Sequence, residues 1–212
     1  MTARPGDARF WDRFARRYAA ASIKDMAGYE RTLARTAELI RGAAQVLEIG
    51  CGTGTTALRL SGEVGQLTCA DISAEMITIA REKAVAEGCT NVSFRVAAPE
   101  DVAVPDGGFD AVLAFSVLHL LRDEAATLRH LYSVLQPGGL LVSKTPCVDE
   151  LNLFIRLAIP VMRLVGFAPH INLSNAGKLE QAMSTAGFTI VERARHGSSE
   201  KDIRLFIVAR KD

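Results

Sequence analysis

Only four cysteines, four histidines and 6 % aromatic residues occur in 212 positions, and charge of either sign is balanced to a net +1. Cys51, Cys69, Cys89 and Cys147 form no C-x-x-C pair and have no histidine cluster beside them, which argues against a zinc site or a disulfide framework. They read as small buried residues of a reducing compartment. With 25 basic against 24 acidic residues there is no basic excess to neutralise phosphates, so a nucleic-acid partner is disfavoured. No apolar run reaches the ~20 residues a membrane span needs. The longest, Leu153 to Phe167, is interrupted by Arg156, Pro160 and Arg163. Met1 to Arg17 is charged throughout and lacks the apolar core of a signal peptide, so the cytoplasm is the expected location. Internal repeats, low-complexity segments and linkers are absent as well. Carboxylates and histidines nowhere cluster at ligand spacing, and no metal is expected.

What is present is organised around Val46-Leu47-Glu48-Ile49-Gly50-Cys51-Gly52-Thr53-Gly54, an apolar run with one acid that leads into three glycines at alternate positions. Helix-compatible Thr55 to Leu60 follows at once, so the order is strand, tight loop, helix. Glycine suits a loop whose backbone turns sharply and lets a ligand approach with no Cβ in the way. The dinucleotide fingerprint G-x-G-x-x-G would need its third glycine at position 55, where this chain has Thr55. A pyrophosphate therefore fits the loop poorly.

Upstream, Phe10, Trp11, Phe14 and Tyr18 recur at spacings of three and four within Phe10 to Ala21, one face of a helix. A second helix runs from Asp25 to Arg41, with Tyr29, Leu33, Thr36, Ala37 and Ile40 inward and Gly42 as its stop. Downstream, strands are expected at Gln66 to Asp71, Val92 to Ala97, Phe109 to Phe115 and Leu140 to Lys144. Between them lie a helix capped by Ser73 and closed by Gly88, the turn Pro105-Asp106-Gly107-Gly108, a largely helical Leu118 to Leu135, and the turn Gln136-Pro137-Gly138-Gly139. Alternation of this kind predicts parallel crossover units, an α/β sheet with helices on both faces. Ligands of such sheets bind beyond the strands' carboxyl ends, so Gly50 to Gly54, Asp71, Ala97 to Glu100 and Phe115 to His119 should line one cleft. The last quarter breaks the alternation, with helical Glu150 to Gly166 and Ser174 to Ala186 before a hairpin of Phe188 to Ala194 and Ile203 to Ala209.

The ensemble is more specific than any one motif. Glu48 to Gly54, Asp71-Ile72-Ser73, Pro99-Glu100-Asp101, Asp110 to Leu121 and Leu135 to Gly139 stand in the order and at the spacings of one family. Over roughly Phe10 to Lys144 the chain resembles class I S-adenosylmethionine-dependent methyltransferases. The resemblance implies a Rossmann-like, doubly wound, mostly parallel seven-stranded sheet with an antiparallel last strand. It also implies N-terminal lid helices and a helical insertion after the fifth strand. A single domain is expected: 1–42 as lid, 43–146 as cofactor-binding core, 147–186 as helical cap or substrate region, and 187–212 as hairpin.

By the same resemblance the cofactor is S-adenosylmethionine and the product S-adenosylhomocysteine. Backbone at Gly50, Cys51 and Gly52 would pass its amino-acid moiety, and Glu48 would order the loop or the ammonium group. Asp71, 21 residues after Gly50, would accept the ribose hydroxyls; as the bland alternative it is a helix-start acid favoured by the dipole. Ile72 and Met76 would press on the adenine. At the adenine edge this chain has Ala98 where family members often carry an acid, and Pro99 has no N–H to offer. Glu100 would substitute there or remain a solvated loop acid, and Asp101 reads as a cap. The Phe115 carbonyl would accept from the ammonium. Tyr18 has two readings, a lid hydroxyl on the cofactor carboxylate or a plain core aromatic.

His119, just past the fourth strand, is the candidate base for an acceptor proton, with a cleft-wall residue as the bland reading and His170 as runner-up; His130 and His196 read as surface residues. The stretch Leu153 to Phe167 allows a hydrophobic lid, a homodimer interface, a membrane-surface helix or an ordinary packed cap. The expected function is methyl transfer without a metal to an oxygen or nitrogen of a small, apolar acceptor. The alternatives are a non-catalytic S-adenosylmethionine-binding sensor and, behind it, a nicotinamide-dependent oxidoreductase.

Overall fold

The computed structural model describes residues 5–150, 169–199 and 202–212. Seven strands form one sheet: β1 (Gln45–Ile49), β2 (Gln66–Asp71), β3 (Val92–Val96), β4 (Phe109–Phe115), β5 (Leu135–Pro146), β6 (Thr189–Ala194) and β7 (Arg204–Arg210). Their order is 3-2-1-4-5-7-6, and every neighbouring pair is parallel except the two that involve β7. The expected doubly wound sheet with an antiparallel last strand is what forms. Strand order reverses between β1 and β4, so the chain leaves the sheet in opposite directions there and opens a crevice at the strands' carboxyl ends.

Both faces of the sheet are covered, and side-chain alternation along the strands assigns each residue to one of them. Leu47, Ile49, Val112 and Ala114 pack on one side with Leu128, Leu131 and Met183. Val46, Ala111, Leu113 and Val142 pack on the other with Leu33, Ile40, Ala57 and Ile77. The helices are α1 (Pro5–Ala20), α2 (Met26–Ile40), α3 (Thr55–Leu60), α4 (Ala74–Ala86), α5 (Glu124–Val134) and α6 (Ala176–Thr185).

Three boundaries differ from expectation. α1 starts five residues early, because Asp7 is held by Arg122 through two 2.8 Å bonds and extends the first turns over the cleft. The helix expected over Leu118 to Leu135 breaks: a single 3₁₀ turn at Leu118–Leu120 ends in extended Leu121, and Asp123 then caps α5 by accepting from Ala126 N–H at 2.9 Å. β5 begins at Leu135, since residues 136–139 bulge out of the strand and leave Phe109 opposite Leu135 but Ala111 opposite Leu140. The helical segment expected at Glu150 to Gly166, with Arg156, Pro160 and Arg163, lies outside the described residues apart from a 3₁₀ turn at Val148–Glu150.

α1 is mounted separately from the main core. Ala15, fully buried, packs on Met76 and Ile79 of α4, flanked by Trp11 and Ala19. Asp12 fastens the same joint by accepting from Ser73 Oγ at 2.7 Å and Glu75 N–H at 3.2 Å. We expect Ala15→Leu to overpack this joint at a cost of ~1–3 kcal/mol. Limited proteolysis should then cut between α1 and α2 while hydrogen exchange in β1, β4 and β5 stays as in the parent; unchanged protease resistance would contradict an independent mounting.

Candidate functional site

Two adjoining cavities occupy the crevice. The first, about 400 Å³, is bordered by Gly50, Gly52, Asp71, Ile72, Met76, Ala97 and Pro99 towards β2 and β3. Towards β4 and β5 its wall is Phe115, Ser116, Val117, His119, Leu120, Leu121, Pro146, His170 and Ile171, with Asp7, Trp11 and Tyr18 of α1 alongside. The second, about 470 Å³, lies under α2 and includes Glu48, Cys51, Thr53, Tyr29, Thr32, Lys144 and Arg204. Tyr18, Gly50, Gly52, Phe115 and Ser116 border both.

The glycine loop is shaped by packing and by approach, in different places. At Gly50 (φ +63°) a Cβ would stand 2.4 Å from Val117 Cγ2, so this glycine makes room for the loop after β4. At Gly52 (φ +53°) the nearest atom to a Cβ would be Tyr18 Cε1 at 3.9 Å; that backbone faces the cleft. Gly52 N–H donates to Asp71 Oδ2 at 3.0 Å, and Ser73 N–H donates to Oδ1 at 2.9 Å. One carboxylate thus fixes the loop and the start of α4, and each oxygen keeps a lone pair free to accept. The helix-start reading of Asp71 is therefore part of its role. Burial raises the Asp71 pKa despite these backbone donors.

Glu48 is 2 % exposed on β1, and burial with nearby Asp71 pushes its carboxyl up to about 8. Cys51 and Cys69 lie beside it; a hydrogen bond with Cys69 pulls the Cys51 thiol down but burial and nearby Glu48 leave it raised, and burial raises that of Cys69. Tyr18 remains 55 % exposed as a residue yet borders both cavities, and burial of its phenol with Asp71 and Glu48 nearby raises its pKa. The aromatic residues of α1 form one chain of ring contacts. Phe10 meets Phe14 in a tilted contact at 4.7 Å between centroids and Trp11 edge-on at 5.3 Å, and Trp11 meets Tyr18 edge-on at 6.5 Å beside the cleft.

The β3 end departs from the expected wall. Ala97 and Pro99 line the cavity, but Ala98 and Glu100 do not. Pro99 opens a 3₁₀ turn whose first carbonyl, that of Ala98, accepts from Asp101 N–H at 3.0 Å. The turn carries the Glu100 carboxylate to Thr127, whose Oγ1 donates to it at 2.9 Å. Neither reading of Glu100, adenine partner or solvated acid, describes this contact.

His119 lines the cavity with its Nδ1 buried and without a hydrogen-bond partner, and burial lowers its pKa to about 4. Its carbonyl accepts from Asn172 N–H at 2.7 Å, which docks 170–172 beside it. Asn172 Nδ2 donates to the Leu121 carbonyl, so its Oδ1 is the acceptor for His170 Nε2–H at 2.8 Å. This fixes the His170 tautomer with Nδ1 as the acceptor nitrogen. His196 is no plain surface residue: its ring lies 4.5 Å from that of Phe206 and its Nδ1 is 3.1 Å from Thr32 Oγ1. His130 is half-buried on α5, away from the cleft lining.

The sequence reading placed Phe115 to His119 on the cleft but left out Leu120, Leu121, Pro146 and Ile171. Ser116 adopts φ +54°, rare for a residue with a Cβ, where β4 meets the crevice. Pro146 and Ile171 carry no motif. Lys144 did carry a signal, a lysine ending the apolar run Leu140-Leu141-Val142-Ser143. Among the described residues no group of three His, Cys, Asp or Glu converges as metal ligands, and no helix is long and apolar enough to cross a membrane.

A glycine loop after β1, an acid ending β2 and an apolar wall after β4, on a 3-2-1-4-5-7-6 sheet, are the arrangement expected of a class I methyltransferase fold. Residues 46–139 match the family model described as methyltransferase domain. The ubiquinone biosynthesis O-methyltransferase of Xanthomonas axonopodis pv. citri (strain 306) is 34 % identical over 111 residues, 52 % of this chain and 46 % of that protein. The ubiquinone/menaquinone biosynthesis C-methyltransferase of Proteus mirabilis (strain HI4320) is 36 % identical over 120 residues, 53 % and 48 % respectively. The chain spans about half the length of these curated relatives. Magnesium protoporphyrin IX methyltransferase from Synechocystis PCC 6803, solved with bound S-adenosylhomocysteine, shares the fold at a TM-score of 0.71 and 19 % identity, covering 97 % of this chain and 95 % of that one.

The buried Glu48 generates a stability prediction. A carboxyl whose folded pKa is raised from 4.5 to about 8 favours the protonated form on folding. Its stabilising contribution is full below the unfolded pKa and is lost as pH rises towards about 8. Glu48→Gln should therefore match the ligand-free parent near pH 5 and exceed it at pH 9 by on the order of 2 kcal/mol in denaturant unfolding. A pH-independent difference would show that Glu48 is ionised in the fold.

Proposed function

We propose that this protein transfers a methyl group from S-adenosylmethionine to an oxygen or nitrogen of a small, largely apolar acceptor. The observation that carries it is the meeting of the two cavities at Gly50, Gly52, Phe115 and Ser116, with Asp71 at one end of the first cavity and His119 and His170 at the other. Bound S-adenosylmethionine would supply a methyl group made electrophilic by its sulfonium sulfur.

The chain's own residues then have distinct tasks. Asp71 accepts from the ribose hydroxyls with the lone pairs its backbone donors leave free, and Ile72, Met76 and Pro99 press on the adenine. Gly52 lets the backbone come close, the Phe115 carbonyl and Glu48 receive the ammonium, and Tyr18 closes over from α1. Trp11, Leu120, Leu121, Pro146 and Ile171 hold an apolar acceptor and keep water out. His119 takes the acceptor's proton as the methyl arrives. It is neutral at pH 7 because burial disfavours imidazolium, and a weak base suffices where the electrophile already carries positive charge. Of the matched relatives, the one named an O-methyltransferase supports an oxygen acceptor, whereas the other is named a C-methyltransferase.

Incubation of the purified protein with S-adenosylmethionine and a panel of phenols, quinols and amines should yield S-adenosylhomocysteine with at least one phenolic acceptor. Binding of the donor without turnover on any acceptor would favour the sensor. Asp71→Ala should weaken donor binding by more than ~10-fold by calorimetry; unchanged affinity would remove the ribose role. His119→Ala should lower kcat by roughly 10²-fold or more with donor affinity preserved. Since a base works above its pKa, kcat of the parent should hold from pH 8 down to pH 5.5, and an acid limb near 6.5 would point to another base.

A further inference from the structure

Two buried ionisable side chains in the second cavity, Glu48 and Lys144, have no group of opposite charge within ion-pair distance among the described residues. Glu48 lies among Asp71, Cys51 and Cys69, none of them a cation, with Cys69 Sγ 4.0 Å from Oε2. Lys144 is 7 % exposed, and its Nζ donates to Thr32 Oγ1 at 2.7 Å and to the Gly28 carbonyl at 3.3 Å. Among the described residues no carboxylate stands within ion-pair distance of it. An ammonium has three donors, so one is left for the cavity. The acids nearest to Lys144 are otherwise engaged, Asp25 with Arg204 Nη2 at 2.9 Å and Asp202 with Arg204 Nε at 2.6 Å. That same pairing accounts for the charge of Arg204, the other cation on this wall.

The strand register sets the two charges towards one another. Glu48 stands beside Leu113, and Leu113 beside Val142; two residues further on, Phe115 stands beside Lys144. Side chains two apart share a face, so Glu48, Phe115 and Lys144 rise on the same side of the sheet. Two strand spacings across and two residues along separate their Cα atoms by roughly 12 Å. An extended glutamate and lysine reaching inward leave a gap for one amino-acid group between them. Burial raises the pKa of Glu48 and lowers that of Lys144, which marks both charges as costly without a partner.

We propose that Lys144 completes the second cavity as a zwitterion site, as the partner of the carboxylate at the α-amino-acid end of the methyl donor, whose ammonium is the one assigned above to Glu48. This rests on the reading of the glycine loop as the methyl-donor site, and it names Lys144, on β5, as a specificity residue for an intact amino-acid tail. A ligand bringing both charges satisfies both side chains at once, whereas one lacking its carboxylate leaves Lys144 as it was.

Calorimetry with S-adenosylmethionine and decarboxylated S-adenosylmethionine tests this without turnover. The parent should prefer the intact ligand by ~10-fold or more, the effect of one buried charge-assisted contact. Lys144→Met, which keeps the apolar stem, should bind both ligands alike, and Lys144→Arg should keep most of the preference. Glu48→Gln should weaken both ligands and leave the preference intact. Equal affinities in the parent, or a preference that survives in a folded Lys144→Met protein, would overturn the zwitterion site while leaving donor binding in place. A parent that binds neither ligand would overturn the methyl-donor reading and this proposal with it.

Discussion

The carboxylate of Asp71 is the constraint on which the donor side of the crevice depends. It ends β2, and its two oxygens take one backbone N–H each, from Gly52 in the loop after β1 and from Ser73 at the start of α4. Ser73 in turn caps α4 by accepting from Met76 N–H at 3.1 Å and donates to Asp12, which seats α1. The glycine loop, the helix that would back the adenine and the lid are therefore referred to one short side chain. Residues bound to a common point hold their spacing, and a binding cleft needs its donors and acceptors preset in this way.

Charge is handled differently around the cleft and away from it. On the exterior, Arg35 meets Glu192 and Glu38, Arg59 meets Glu30, and Arg195 meets Glu150, each pair at least partly exposed to solvent that screens it. Inside, Glu48, Lys144 and His119 are buried without an opposite charge, and burial disfavours the ionised form of each. A sequence that pairs its surface charges so readily has no structural need of these three. Their cost on folding makes sense if a ligand offsets it on binding, which is the usual reason for perturbed ionisation to gather in a cavity.

The donor side was legible in the sequence because its determinants are local. Glu48 to Gly54 contains strand, loop and helix start within a dozen residues, and Asp71 follows at the end of the next strand. The sheet, its reversal and its antiparallel β7 followed from the alternation of strands and helices and from the resemblance it carried. What was not legible depends on contacts distant in sequence. The break at Leu121 to Asp123 serves Arg122, which reaches back to Asp7, and the early start of α1 has the same cause. Glu100 was misplaced because Thr127, its partner, lies beyond a strand and on another helix. His196 was misread as superficial because Phe206 and Thr32, which cover it, are contributed by β7 and α2.

The acceptor side follows from the donor side through a single collision. Val117 fills the space that a Cβ on residue 50 would occupy, so the loop after β4 is packed directly on the backbone of the loop after β1. The residue before it, Ser116, is held at φ +54°, and its N–H donates to the Lys144 carbonyl at 2.8 Å, which joins β5 to the same point. Strain of this sort persists only where surrounding contacts over-determine it. Here the contacts come from β1 and β5 together, so the backbone that would face the transferred methyl is fixed from both sides. His119 stands three residues further on, tied through its carbonyl to Asn172 and hence to His170. The position of the base is thereby set by the glycine loop, and the loop that selects the methyl donor also aims the group that would receive the acceptor's proton.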